Sequence, residues 1–171
     1  MQPGLGPCTL SALLERFGTA ESVLTAFHPE LLSVRGVGEQ TVKQIHQARN
    51  LDQADATLRW CDAQQTQIVP QRSTCFPNWL SHLNDTPAIL YMRGDLIAED
   101  QLSVAVVGTR HATPYGITQA NRFSYGLAKA GLTIVSGLAR GIDAAAHRGA
   151  MDAGGRTIAV LGSGLAKTYP R

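Results

Sequence analysis

The sequence predicts an α/β protein: a helical, helix-hairpin-helix (SAM-like) domain over residues 1–65, then an incomplete Rossmann-like, doubly wound parallel sheet over residues 66–171. Three observations carry this expectation. From residue 102 onward, short apolar runs alternate with helix-length segments, and each run ends in glycine. Near the N-terminus a glycine-apolar-glycine turn occurs twice, 32 residues apart. The composition, 44% hydrophobic and 16% charged, suits a chain that buries a core rather than a disordered one.

The C-terminal pattern is the clearest. Leu102-Ser103-Val104-Ala105-Val106-Val107 reads as a buried strand, and Gly108-Thr109-Arg110 breaks it. A helix is expected from about residue 117 to 129, closed by Gly131. Leu132-Thr133-Ile134-Val135 is a second strand ended by Ser136-Gly137; a second helix runs from about 143 to 153 and stops at Gly154-Gly155. Thr157-Ile158-Ala159-Val160-Leu161 is the third strand, again followed by glycine. Strands joined by helices at this spacing lie parallel, with right-handed crossovers.

Upstream, Pro3-Gly4-Leu5-Gly6 and Arg35-Gly36-Val37-Gly38 are each followed by a polar pair, a threonine and apolar residues at helical spacing. Two glycines around one apolar residue make a tight hairpin, because glycine tolerates positive φ and the apolar side chain plugs the turn. Such a hairpin opens a helix whose free amides hold phosphate in helix-hairpin-helix units. Paired hairpins also serve as packing or docking modules, and only Arg35 and Lys43 stand near the second turn. Residues 51–65 read as a polar helix or linker, and residues 88–92 as a strand at one side of the sheet.

Charge is uneven along the chain. Residues 101–171 hold eight Lys/Arg against two Asp/Glu, whereas residues 1–100 hold seven against eleven. A basic segment after an acidic one points to a polyanionic ligand for the former. No stretch approaches the roughly 20 apolar residues of a membrane helix. No secretory signal is visible, and the three cysteines (Cys8, Cys61, Cys75) are odd in number and far apart. They read as reduced thiols in a cytoplasmic protein, with no zinc site.

Ligands of open α/β sheets bind beyond the carboxyl ends of the strands. Those ends carry Gly108, Thr109 and Arg110, then Ser136, Gly137, Arg140 and Gly141, then Gly162 and Gly164. Glycine admits a phosphate to the backbone, and an arginine fork matches its oxygens. The spacing is not G-x-G-x-x-G, and no acidic residue ends the second strand to hold a ribose, which argues against a nicotinamide cofactor. Asp143 and His147 share a helix face but have no third ligand; a helix cap and a packed histidine are the expected roles. Trp60 and Trp79 are not interleaved with cations, so no aromatic platform is expected and binding should be indifferent to base identity.

Val107-Gly108-Thr109-Arg110, Tyr115-Gly116, Ser136-Gly137-Leu138-Ala139-Arg140-Gly141-Ile142-Asp143, His147, and Gly162-Ser163-Gly164-Leu165 with Tyr169-Pro170 stand in unbroken order across residues 102–171. This series resembles the DNA-processing protein A (DprA, Smf) family. The resemblance implies a non-catalytic, cofactor-free protein that binds single-stranded DNA during natural transformation, protects it and helps load the RecA recombinase. It implies that Arg110 and Arg171 line the DNA groove and that Ser136, Gly137 and Gly141 shape the loop between them. It also implies further strands beyond Arg171 carrying the homodimer and recombinase contacts, so the sheet reads as cut short. Two positions depart from the family pattern: Ala166 replaces an acidic residue, and Phe76-Pro77 replaces Tyr-Pro. Two other classes compete. One is a nucleotide-hydrolysing phosphoribohydrolase, which would need a G-G-x-G-T and a catalytic glutamate absent from this chain; the other is a protein-docking fragment.

Overall fold

A computed structural model describes residues 5–49, 52–83 and 85–166, which form two compact units, residues 1–95 and residues 96–171. The first unit opens with five helices: α1 (Pro7–Phe17), α2 (Ala20–Thr25), α3 (His28–Leu32), α4 (Glu39–Gln47) and α5 (Asp52–Ala63). Leu13, Val23, Leu31, Val34, Val37, Val42 and Ile45 form its core. Gly18 ends α1 at φ +83°, and Thr19 caps α2 by accepting from the Ser22 amide. Gly36, at φ +84°, turns the chain so that Val37 enters the core and Gly38 opens α4. The plugged hairpin is therefore present at the second repeat. Gly4, which begins the first repeat, lies outside the described residues, while Leu5 packs against the same core.

Of the stretch 51–65, which the sequence reads as polar helix or linker, Asp52–Ala63 is the helix α5, with Cys61 buried. After it, β1 (Gln67–Pro70) pairs antiparallel with β2 (Ile89–Met92), Val69 facing Leu90. Residues 88–92 thus join a two-stranded ribbon in the first unit rather than the edge of the parallel sheet. Arg93, after β2, stacks over Trp60 and donates to the Gln64 carbonyl, tying ribbon to helix.

The second unit is a parallel sheet in the order β3 (Ser103–Ala105), β4 (Thr133–Ser136), β5 (Thr157–Ala159). Helix α6 (Pro114–Lys129) links the first pair and α7 (Ile142–Asp152) the second. Both helices pack on one face, where Ala128, Ile134, Ala146 and Ala150 make the core. Small residues let the two helices approach closely: a methyl group at Gly149 would overlap the Asn121 carbonyl. On the opposite face Ala105, Val107 and Val160 are exposed. At the amino edge of the sheet, buried Asp100 accepts from Arg156 Nε at 2.6 Å, the second Arg156 guanidinium nitrogen at 2.8 Å, Thr133 Oγ1 at 2.9 Å and the Ile97 amide at 2.9 Å. This bond to Arg156 holds its carboxyl below the ordinary carboxylate range. One carboxylate therefore fastens the starts of β4 and β5 to the segment that leads into β3.

Candidate nucleic-acid interface

The carboxyl edge of the sheet gathers the segments that the sequence singles out. Gly108 follows β3, Gly137 follows β4, and α7 starts between them after Gly141. At their centre is Asp143, 6% exposed. Its Oδ1 accepts from the Gly108 amide at 3.2 Å, and its Oδ2 accepts from the Gly137 amide at 3.2 Å and the Ala139 amide at 3.4 Å. The convergent amides that an open α/β sheet ordinarily turns toward a ligand phosphate are here filled by the chain's own carboxylate.

This changes what the glycines do. A methyl group at Gly108 would lie 2.7 Å from Ile142 Cγ1, and one at Gly137 would lie 2.8 Å from Asp143 Oδ2. At Gly141, where φ is +83°, it would overlap the Thr109 carbonyl oxygen. All three admit the chain itself, so that the first turn of α7 seats against the loop after β3. Between the two amides that hold Asp143 Oδ2, Leu138 sits at φ +57°, a conformation unfavourable for leucine that the flanking hydrogen bonds maintain. Gly141 is the N-cap of α7, so Asp143 is not that cap but a tie between loops.

Ser136 is buried, and its hydroxyl donates to the Val106 carbonyl at 2.7 Å, joining the ends of β3 and β4. The Thr109 carbonyl accepts from the Ile142 amide at 3.3 Å, and its hydroxyl accepts from the His111 amide at 3.1 Å. Arg110 and Arg140 are exposed, and their loops touch: a methyl at Gly141 would stand 2.9 Å from the Arg110 carbonyl oxygen. Of the residues singled out, the structure brings together Gly108, Thr109, Arg110, Ser136, Gly137, Arg140 and Gly141. Arg171 lies outside the described residues, as do Lys167, Tyr169 and Pro170.

His147, one turn beyond Asp143, is buried and bonds through Nδ1 to Thr157 Oγ1 at 2.7 Å. Because the Thr157 hydroxyl donates to the Ile134 carbonyl, the imidazole Nδ1 is the donor to it. Burial lowers its pKa, offset in part by the Asp143 charge. The histidine thus braces α7 on β4 and β5. No group of three or more His, Cys, Asp or Glu side chains suited to a metal occurs among the described residues.

In the first unit, the start of α4 is a poor anion site. Glu39 occupies its first turn and pairs with His28 at 3.1 Å. Two further arginines of this unit serve the fold: Arg49 donates to the Leu24 carbonyl and Arg72 to the Gly18 carbonyl.

The sequence profile of the family described as DNA recombination-mediator protein A matches residues 67–171. The chain belongs to that family. Protein Smf of Synechocystis is 35% identical over 171 residues, covering 98% of this chain and 43% of the Synechocystis protein. DNA processing protein DprA of Streptococcus pneumoniae is 44% identical over 97 residues, 57% of this chain and 34% of that protein. The X-ray structure of DprA from Streptococcus pneumoniae matches with a TM-score of 0.77 at 31% identity, covering 99% of this chain and 58% of that one. A structure reported for the single-stranded DNA binding mode of DprA from Helicobacter pylori matches at TM-score 0.53 and 34% identity, over 62% of this chain and 46% of that one. The sequence matches cover 43% of the Synechocystis protein and 34% of the Streptococcus pneumoniae protein, and the structural match covers 58% of the latter.

Within this DNA recombination-mediator protein A fold, sequence reasoning missed the role of Asp143 and two exposed aromatics on α6, Tyr115 and Phe123. A helical-wheel reading of residues 114–129 would have found the aromatics. Asp143 left no comparable signal, because its partners are backbone amides brought in from two loops. The filled amide cluster also weighs against a nucleotide-hydrolysing reading, since a mononucleotide phosphate at that point would meet a carboxylate instead of free N–H groups.

Proposed function

We propose that this chain binds single-stranded DNA without chemistry, through a basic rim formed by Arg110 and Arg140 at the carboxyl edge of the sheet. One observation carries the reading. Two exposed arginine-bearing loops are held against each other on a frame that Asp143 fastens from beneath. Thr109 belongs to the same rim. Gly108, Ser136, Gly137 and Gly141 give it its shape, and Arg171 adds a further cation. An arginine fork offers parallel hydrogen bonds to phosphate oxygens, and the net positive charge of residues 101–171 draws a polyanion toward it. The DNA-binding region starts near residue 66, a division supported by the family match from residue 67. The helical residues 1–65 then serve packing or docking, since a carboxylate stands at the start of α4.

The place of action is the cytoplasm, during DNA uptake, where the protein protects the strand and assists loading of a RecA-type recombinase, with homodimerisation. No cofactor or metal enters the reading.

Anisotropy titrations of a labelled oligonucleotide and a labelled mononucleotide, run side by side over a salt series, test it. The expected result is oligonucleotide binding that weakens steeply with salt and differs only a few-fold between poly-dT and mixed sequence. Preference for the mononucleotide, or a shallow salt slope with strong sequence preference, would overturn it.

A further inference from the structure

We propose that the outward face of α6 continues the DNA path as a base-stacking surface built on Tyr115 and Phe123, with Arg122 on the same face. The inference rests on the single-stranded DNA reading above and adds where the bases go.

Helix α6 turns Ala120, Ser124 and Ala128 inward, and all three are buried. At about 100° per residue, Tyr115, Gln119, Arg122, Phe123 and Gly126 fall within an arc of about 100° on the opposite side. Tyr115 is 74% exposed and Phe123 66%, a large apolar area to leave in water on one helix face. Two features identify the occupant. The helix carries Arg122 and Lys129 but no acidic residue, so a polyanion is favoured. The exposed apolar groups are flat rings set beside a cation, the combination on which unpaired bases stack while their phosphates are neutralised. A duplex hides its base faces and does not fit.

The surface is continuous with the arginine rim. The first turn of α6 begins four residues after Arg110, capped by Thr113. A methyl at Gly116 would lie 3.5 Å from Ile142 Cδ1, so this turn rests on the residue between Gly141 and Asp143. Gly126 adds a separate observation. A methyl there would meet nothing within 4 Å, so packing within the chain does not require glycine at that exposed helical position. Glycine disfavours helix, yet it keeps the surface beside Arg122 flat.

The test compares two labelled oligomers of equal length, one of thymidine nucleotides and one of abasic sugar–phosphate, on the full 171-residue chain. The abasic oligomer is expected to bind about tenfold more weakly. Tyr115→Leu and Phe123→Leu should each weaken thymidine-oligomer binding about fivefold and leave abasic binding within twofold. Phe123→Tyr should retain wild-type affinity. Leucine keeps an exposed apolar group, and a thermal melt checks that each variant folds. Quenching of 2-aminopurine placed in the oligomer gives an independent readout, lost in the leucine variants. Equal binding of both oligomers with a steep salt slope would overturn the stacking surface and leave the arginine rim standing. Leucine variants that bind the thymidine oligomer as wild type would overturn it too, and would leave the aromatics to a protein partner. Binding of neither oligomer would overturn the DNA reading itself, and this inference with it.

Discussion

The two edges of the parallel sheet each hold one buried aspartate, and the two do opposite work. At the amino edge, Asp100 meets a guanidinium, a hydroxyl and an amide and so binds three chain segments through charge. At the carboxyl edge, Asp143 meets only backbone amides, from the loops that follow β3 and β4. The first edge is a fastening with no candidate ligand near it. The second is a fastening placed where related architectures keep a ligand site. Identical side chains thus separate stability from binding, and substitutions at the two edges should separate them in measurement.

The largest effect is expected at the amino edge. Asp100→Ala strands the Arg156 and Thr133 donors and should lower unfolding free energy by about 3 kcal/mol, as breaking a buried ion pair does. Arg156 is partly exposed, which keeps the loss at the low end of that range. Urea unfolding checks it, and DNA affinity of the folded fraction should stay within twofold. The same pair sets a pH dependence. With a depressed folded pKa, Asp100 contributes fully above about pH 4, the unfolded carboxyl range, and the contribution fades as pH falls through the folded value. An acid titration of the urea midpoint should therefore show a smaller drop below pH 4 in Asp100→Asn than in wild type.

At the carboxyl edge, Asp143→Ala should cost about 2 kcal/mol of stability, because amides lose a charged acceptor. It should also weaken DNA binding, even though it removes a negative charge beside the arginine rim. Tighter DNA binding in that variant would mean that the carboxylate repels the ligand more than it orders the loops. Arg110→Ala should cost on the order of 1–3 kcal/mol in DNA affinity. Arg35→Ala, beside the second hairpin, should cost under about 0.5 kcal/mol; equal losses at the two positions would move the site to the helical unit. One small change is a gain: Gly126→Ala should raise stability by about 0.5–1 kcal/mol, as alanine replaces glycine within an exposed helix.

The sequence made the α/β half legible because its signals are local. Apolar runs ending in Gly108, Gly137 and Gly162 mark strands whatever surrounds them. Apolar spacing places the start of α6 three residues late; Pro114 at the first helical position and the Thr113 cap mark the true start. The pairing of residues 88–92 with β1 was not legible, because a lone apolar run does not name its neighbour. At the site, the sequence pattern suggests glycines that open the backbone to a phosphate. They are openings, but for Ile142, Asp143 and the Thr109 carbonyl, which the fold alone brings there. The positions were found by pattern; their contacts depend on tertiary approach.

The amide cluster filled by Asp143 has a kinetic consequence. A loop that waits for a ligand phosphate to organise it must order during each encounter, which slows capture. Here the loops after β3 and β4 are already tied, and Leu138 is already held in its unfavourable conformation. The rim then meets a strand in its final shape, so association should run near the electrostatically steered limit and respond to salt. Differences among oligomers should appear almost wholly in how long each one stays.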